Sequence, residues 1–389
     1  MTKLNRKAIY TRENEEKLIA EGYEWNFHDE KTTEHLHSLH PYPAKFIPQI
    51  PRKAIQQWTI PGDVVYDPFN GCGTTVLEAS LAGRQGIGTD NNAIAILASK
   101  AKTTNYTQKD FDTLENFRDR ILNGLDFAAD RPDLIPQNKN FHYWFDSTIT
   151  NRLASLKGII LEENNPIQTL LLAIFSSIIV RVSYQDSDTR YSRIERKIHP
   201  REVDTIFLSR LNDVLKQLPT LLKRDRGDVN IFQADSRHVP FIKDESVSLI
   251  VTSPPYLNAY DYHKYHRQRL HWIGGDDSVK FARDNEIGSH DKFTRNNATP
   301  ENYFSDMKQC FKEWSRVLKN KGKCLIIVGD AIVSKQPVHV GDCFVDLMEQ
   351  NGFITEKRWI RTLHSTKRAF NVQNSRISHE HVLLFKKLM

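Results

Sequence analysis

Cysteine is scarce in this chain: Cys72, Cys310, Cys324 and Cys343 are four among 389 residues, and no two form a CxxC pair. That spacing leaves no framework for a zinc site or a set of disulfides, and scattered thiols of this kind suit a reducing cytoplasm, the location expected. Long apolar runs are missing too. The most apolar stretch, residues 170–180, falls short of the roughly 20 residues a bilayer-spanning helix needs, so a buried helix and no membrane partner are expected. The N-terminal stretch carries charges without an apolar core, so no signal peptide is visible. No internal repeat or low-complexity tract interrupts the chain. Nor does one sign of charge dominate: 54 Lys and Arg stand against 48 Asp and Glu, a net charge of +6. Mild basicity is compatible with a polyanionic partner without requiring one. What the chain does have is an ordinary globular composition, 39% hydrophobic and 26% charged, and length enough for two or three domains or one large domain with an insert.

Residues 1–33 are polar, without clear periodicity, and are expected to form an N-terminal surface arm. A histidine- and proline-rich segment follows, with His35, His37, His40, Pro41, Tyr42, Pro43, Lys45, Phe46 and Pro48. Its prolines predict an extended path, and no acidic or cysteine ligand lies beside the histidines, so no metal site is expected. Residues 62–67 then read as a buried strand running into Pro68-Phe69-Asn70-Gly71-Cys72-Gly73-Thr74-Thr75 and a helix. Residues 83–90 are a second strand ending in Asp90, and residues 92–101 a second helix. Strand, glycine turn, helix, strand and acid is the opening of a doubly wound α/β fold. Residues 106–226 break that rhythm and look mostly helical. The α/β pattern resumes at 228–235, and 247–252 is a buried strand leading into Ser253-Pro254-Pro255-Tyr256. Residues 257–300 are expected to be a polar, aromatic and basic loop region. A helix at 303–318, a strand at 323–329, a helix at 340–351 and two strands at 353–363 and 381–387 close the chain.

Two motifs carry chemistry. A turn from the carboxyl end of a strand into a helix places a ligand at the crevice of a sheet, and Gly71 and Gly73 let backbone pass close to it. The dinucleotide-binding fingerprint has a third glycine that is missing here, which favours a cofactor without pyrophosphate. Asp90 is placed to accept hydrogen bonds from ribose hydroxyls. In Ser253-Pro254-Pro255-Tyr256 the prolines stiffen the loop and remove two donors, leaving mainly acceptors, the Ser253 hydroxyl and the Pro254 carbonyl. Two acceptors gripping the hydrogens of a base's exocyclic amine would free its delocalised lone pair for attack on a methyl sulfonium. Tyr256 could stack on a base drawn out of the duplex. Methylation of a ring carbon would need a nucleophilic cysteine, and the loop has none.

Together these motifs resemble those of the amino-directed DNA methyltransferases, the N4-cytosine and N6-adenine enzymes. Asp67-Pro68-Phe69-x-Gly71-x-Gly73-Thr74-Thr75 looks like their motif I, and Ser253-Pro254-Pro255-Tyr256 like motif IV. His40-Pro41-Tyr42-Pro43-Ala44-Lys45-Phe46 resembles motif X, Asp90 matches the motif II acid, and Asp235 matches motif III, which in the family lies against the cofactor adenine. The resemblance implies an α/β, Rossmann-like S-adenosylmethionine-dependent methyltransferase sheet with a mostly helical insert. It divides the chain into an arm (1–33), a catalytic domain (34–105 and 227–389) and an insert (106–226) that is a candidate target-recognition region. It also implies a cofactor site of Phe46, Asp67, Phe69, Gly71, Gly73, Thr74, Thr75, Asp90, Asn91 and Asp235. Catalysis falls to Ser253, Pro254, Pro255 and Tyr256, without a metal. Cytosine N4 is favoured over adenine N6, because a leading serine in motif IV leans that way in the family. Duplex DNA is the implied partner, with a cognate restriction endonuclease acting separately.

One departure stands out. The motif I and motif IV forms resemble the class in which motif IV precedes motif I, whereas here motif X and motif I come first. Target recognition therefore cannot be placed by analogy. Two basic and aromatic segments are candidates: Arg190 with Arg193 in the insert, and Tyr260, Tyr262, Lys264, Tyr265, Arg267 and Arg269 after motif IV, where cations suit phosphates and rings suit bases. An RNA guanine-amino methyltransferase, a protein-glutamine methyltransferase and a catalytically silent DNA-binding subunit are competing readings.

Overall fold

The computed structural model describes residues 12–123, 131–295, 297–363 and 379–389. The chain divides into two compact units, one of Lys31–Val239 and Asp261–Ile287, the other of Met1–Glu30, Pro240–Tyr260 and Gly288–Met389.

In the first of these, β1 (Val64–Asp67), β2 (Gln85–Asp90) and β5 (Val229–Gln233) run parallel with β2 between its neighbours, in registers that pair Val64 with Gln85 and Gly86 with Val229. Parallel strands need crossover connections. The helix Thr74–Leu81 joins β1 to β2, and Ala93–Thr103 leaves β2, capped by the Asn92 side chain accepting from the Ile94 amide at 2.9 Å. Between β2 and β5 the expected insert is there: helices Gln108–Leu122, Ser147–Leu161, Ile167–Ile178 and Pro200–Leu222, plus a small hairpin of β3 (Gln185–Ser187) and β4 (Arg190–Arg193). In Pro200–Leu222 the buried residues Val203, Phe207, Leu211, Val214, Leu218 and Leu221 recur at three- and four-residue spacing, one stripe facing a core. That core also takes in Leu36, Leu39, Ala101 and Trp272, so the insert is packed as one body with the segments around it.

Residues 257–300 are not the long loop expected from sequence. Tyr262–Tyr265, Arg267–Asn285 and His290–Arg295 are helical, with a break at Gly275 where φ is +70°. The helical stripe is disguised because Gln268, Arg269 and His271 are buried beside Leu270 and Trp272, so a hydrophobicity pattern misses it. Trp272 sits among the rings of Phe141, Phe145 and Phe175, with centroids 5.6, 6.0 and 5.7 Å away.

The second unit carries β6 (Val247–Thr252), β7 (Leu318–Val328), β8 (Ala331–Val333), β9 (Gln336–Val338), β10 (Phe353–Thr362) and β11 (His379–Lys387). β6 and β7 are parallel, and β11 lies antiparallel between β7 and β10. The helix Pro300–Val317 starts at a capping box between Thr299 and Asn302 and buries Tyr303, Met307, Cys310, Phe311 and Trp314 along one face. The N-terminal segment is more than a surface arm. Arg12–Gly22 is helical, Gly22 touches the Ile360 backbone so closely that a Cβ there would lie 2.0 Å from its carbonyl oxygen, and Trp25 is buried with its ring 5.4 Å from Trp359. Residues 1–11 lie outside the described residues. The fold class is the α/β, Rossmann-like one expected, and among the described residues no helix is long and apolar enough to cross a membrane.

Truncating the fully buried Trp314, which packs 4.9 Å from Phe311, should remove about 3–5 kcal/mol of stability, read as a lower urea midpoint at unchanged m-value.

Candidate active site

The glycine turn is held by main-chain hydrogen bonds. Asp67 ends β1 and accepts from the Phe69 amide at 3.1 Å, and the Gly73 amide donates to the Asn70 carbonyl at 2.8 Å. Gly71 and Gly73 both have positive φ, +48° and +82°. Gly73 could carry no side chain, since a Cβ would lie 2.4 Å from Ser99 Oγ, and Ser99 itself accepts a 2.8 Å bond from the Asn70 amide group. Thr74 and Thr75 are buried in the first turn of the following helix.

Asp90, at the end of β2, ties the two strand ends together. One carboxylate oxygen accepts from the Gly71 amide and the other from the Asn92 amide, both at 2.8 Å. Removal from solvent pushes its pKa up to about 6, the backbone donors pull the other way, and the Glu286 carboxylate adds to the rise. Asn91 lends its carbonyl to the Gln233 amide group at 3.1 Å. Asp235, just after β5, is gripped by Arg237, whose Nη2 is 2.6 Å from its carboxylate. Phe46 is half-buried.

Tyr42 was not among the expected site residues, although it lies in the motif X segment. Its ring would be 3.3 Å from a Cβ at Gly71, and it stacks 4.7 Å from His266 and 6.1 Å from Tyr262. Tyr262 is therefore part of the packing over the glycine turn, where sequence had suggested a DNA contact. The buried Glu286 fixes this segment: it accepts from the Tyr262 amide at 2.6 Å and pairs with the His263 ring. The neighbouring histidines are structural. His37 Nε2 donates to Glu78 at 2.8 Å, with burial holding its pKa down to about 4, and His40 Nε2 accepts from Ser176 Oγ at 3.0 Å. Among the described residues no group of three or more His, Cys, Asp or Glu is placed to hold a metal ion.

Arg269 does not fit the expected contact with DNA phosphates. It is fully buried, and its guanidinium donates to the Ser176 carbonyl at 3.0 Å and to the Asp188 carboxylate. Arg193 is engaged too, its guanidinium over the rings of Tyr143 and Tyr184 at 5.0 and 4.6 Å. Arg190 and Arg267 are exposed, and Lys264 pairs with Asp261 at 3.1 Å while Tyr265 is half-buried.

In the other unit, Ser253, Pro254, Pro255 and Tyr256 follow β6 directly. The Pro255 carbonyl accepts from Tyr303 Oη at 2.9 Å, and Tyr256 Oη donates to Glu380 at 2.6 Å. Glu380 in turn pairs with the buried Arg361 at 3.3 Å. Burial and the Glu380 carboxylate hold the Tyr256 phenol well above its usual pKa, so it stays a neutral donor. The loop then turns through Asn258, at φ +56°, whose amide donates to the Gly288 carbonyl at 3.0 Å. Tyr260 is half-buried beyond it. Tyr303 lies 48 residues from Pro255 and Glu380 lies 124 from Tyr256. No local pattern signals them.

The sequence model of the DNA methylase family N6_N4_Mtase matches residues 2–100 and 247–388, and the chain belongs to that family. It is 25% identical over 303 residues to the Type II methyltransferase M.MvaI of Kocuria varians, covering 70% of this chain and 65% of that one. It is 22% identical to the Type II methyltransferase M.MjaII of Methanocaldococcus jannaschii, covering 88% and 79%. Among solved structures, a SAM-dependent methyltransferase of Methanosarcina mazei matches at 10% identity and TM-score 0.36, over 90% of this chain and 99% of that one.

Gly73→Ala should be markedly more destabilising than Gly62→Ala. Both have positive φ, but a Cβ at Gly62 meets nothing within 4 Å; equal unfolding midpoints would show that Ser99 yields. Tyr256→Phe should cost about 1.5–3 kcal/mol in chemical denaturation, the worth of a hydrogen bond to a charged group.

Proposed function

We propose that this protein transfers a methyl group from S-adenosylmethionine to the exocyclic amine of a base in duplex DNA, with cytosine N4 favoured over adenine N6. The observation that carries the reading is the anchoring of the Ser253–Tyr256 loop. Pro255 and Tyr256 are tied back by Tyr303 and by the Glu380–Arg361 pair, which fixes the backbone of the loop whose Ser253 hydroxyl and Pro254 carbonyl are the acceptors for the amine. Membership of the DNA methylase family supports DNA as the substrate.

The glycine turn fits the cofactor. The Tyr42 ring packs against Gly71, where a Cβ would lie 3.3 Å from it, and Asp90 stands beside that glycine with a carboxylate for ribose hydroxyls. Asp67, Phe69, Gly73, Thr74 and Thr75 shape that turn, and Phe46, Asn91 and Asp235 flank the adenosine. When bound, S-adenosylmethionine supplies a methyl carbon made electrophilic by a positive sulfur. Ser253 and Pro254 hold the two amine hydrogens so that the nitrogen lone pair is no longer conjugated with the ring. Tyr256 presents its ring to the flipped base, its phenol anchored by Glu380. The leading Ser253 supports cytosine N4. The Type II names of the relatives support a modification role beside a separately acting endonuclease.

Incubation with radiolabelled S-adenosylmethionine and mixed-sequence duplex DNA should label the DNA, and nucleoside mass spectrometry should find N4-methylcytosine. N6-methyladenine would overturn the choice of base, and label in RNA alone would overturn DNA. Ser253→Ala should slow turnover tenfold or more, roughly 1.4 kcal/mol of barrier, with cofactor affinity retained. Because Asp90 serves as a carboxylate and its pKa lies near 6, cofactor affinity should fall as pH drops below about 6. Asp90→Asn should bind weakly at every pH, without that inflection, in calorimetric titration.

A further inference from the structure

The hairpin of β3 and β4 is a short, exposed element, yet it is pinned at unusual cost. Arg269 is buried beneath it and holds the tip through Asp188. The buried Gln185 side chain donates to the Ser187 carbonyl of the same strand at 2.9 Å. Arg193 lies between the rings of Tyr143 and Tyr184 and donates to the Tyr143 carbonyl at 2.9 Å. A buried guanidinium is a costly way to stabilise a fold, and its clearest use is to define position. What is held in position is basic: residues 181–201 carry six Lys and Arg against three acids. Along β4 the outward residues are Arg190 and Ser192, while Tyr191 and Arg193 turn inward. Tyr191 packs 4.7 Å from Trp144 and carries the exposed Arg267 over its other side at 5.9 Å.

We propose that the β3–β4 hairpin is the element that reads the target duplex, with Arg190 and Arg267 as its contacts and Arg193, Arg269 and Tyr191 as its supports. The proposal rests on the reading of the protein as a DNA methyltransferase. A two-stranded ribbon fits the major groove, about 12 Å wide, and an outward arginine is the side chain best suited to a guanine edge or a phosphate. Arg190 now faces Asp186 at 3.3 Å, an exposed pair that a phosphate or base can replace with little loss. The supports serve the contacts by removing freedom that would otherwise be lost on binding.

The test compares full-length wild type with Arg190→Ala, Arg267→Ala and Arg190→Lys. Three measurements are made: binding of S-adenosylhomocysteine by calorimetry, binding of sheared genomic duplex by anisotropy across a salt series, and methylated positions by sequencing. Each alanine variant should keep its affinity for S-adenosylhomocysteine and lose about 5- to 150-fold in duplex affinity, the equivalent of a bidentate base contact. Where the lost contact is to phosphate, the salt slope should fall by about 1. Arg190→Lys should keep much of the affinity but methylate a broader set of sequences, which a merely structural role would not produce. Alanine variants with wild-type affinity and the wild-type methylation map would overturn the hairpin assignment. A wild type that binds S-adenosylhomocysteine but methylates no duplex would overturn the underlying reading instead.

Discussion

The Asp90 carboxylate, accepting from the amides of Gly71 and Asn92, is the contact on which the glycine turn depends. It ties the turn after β1 to the end of β2, so the two strand ends present one surface, and it does so through main-chain groups that would otherwise lack partners. The positive φ at Gly71 and Gly73 and the contact of Gly73 with Ser99 follow from the same constraint. At Gly73 a turn bent this tightly leaves no room for a side chain. Tyr42 and Tyr262 then close over it, held by Glu286.

The loop after β6 is organised on a different principle. Its stiffness begins with two consecutive prolines, but prolines alone set φ and leave the loop's direction open. Direction comes from tertiary partners: Tyr303 on the Pro255 carbonyl, Glu380 on Tyr256, and Arg361 behind Glu380. The charge of Glu380 is balanced by Arg361 and its reach is taken up by the phenol, so the loop is held from Pro255 and Tyr256 by groups distant in the chain.

Much of this was legible in the chain. The strand, glycine turn, helix and acid pattern located β1, β2 and the helix between them because short-range chemistry dictates them: apolar runs, glycines and a capping Asn92. The loop after β6 was legible for the same reason. What was hidden depends on distance or on polar burial. Glu380 and Arg361 read as ordinary charges in closing strands until the fold brings them to Tyr256. The helix Arg267–Asn285 was masked by buried Gln268, Arg269 and His271. Arg269 shows the limit most clearly: in the sequence it is one more cation in a basic, aromatic stretch, and in the structure it is an interior strut paired with Asp188.

The half-acidic character of Asp90 also has a calorimetric consequence. With its pKa near 6, a fraction of molecules in mildly acidic solution carry a proton there. On the proposed reading, in which Asp90 meets ribose hydroxyls as a carboxylate, loading the site would expel that proton, and the heat observed would vary with the ionisation enthalpy of the buffer in mild acid but not above neutrality.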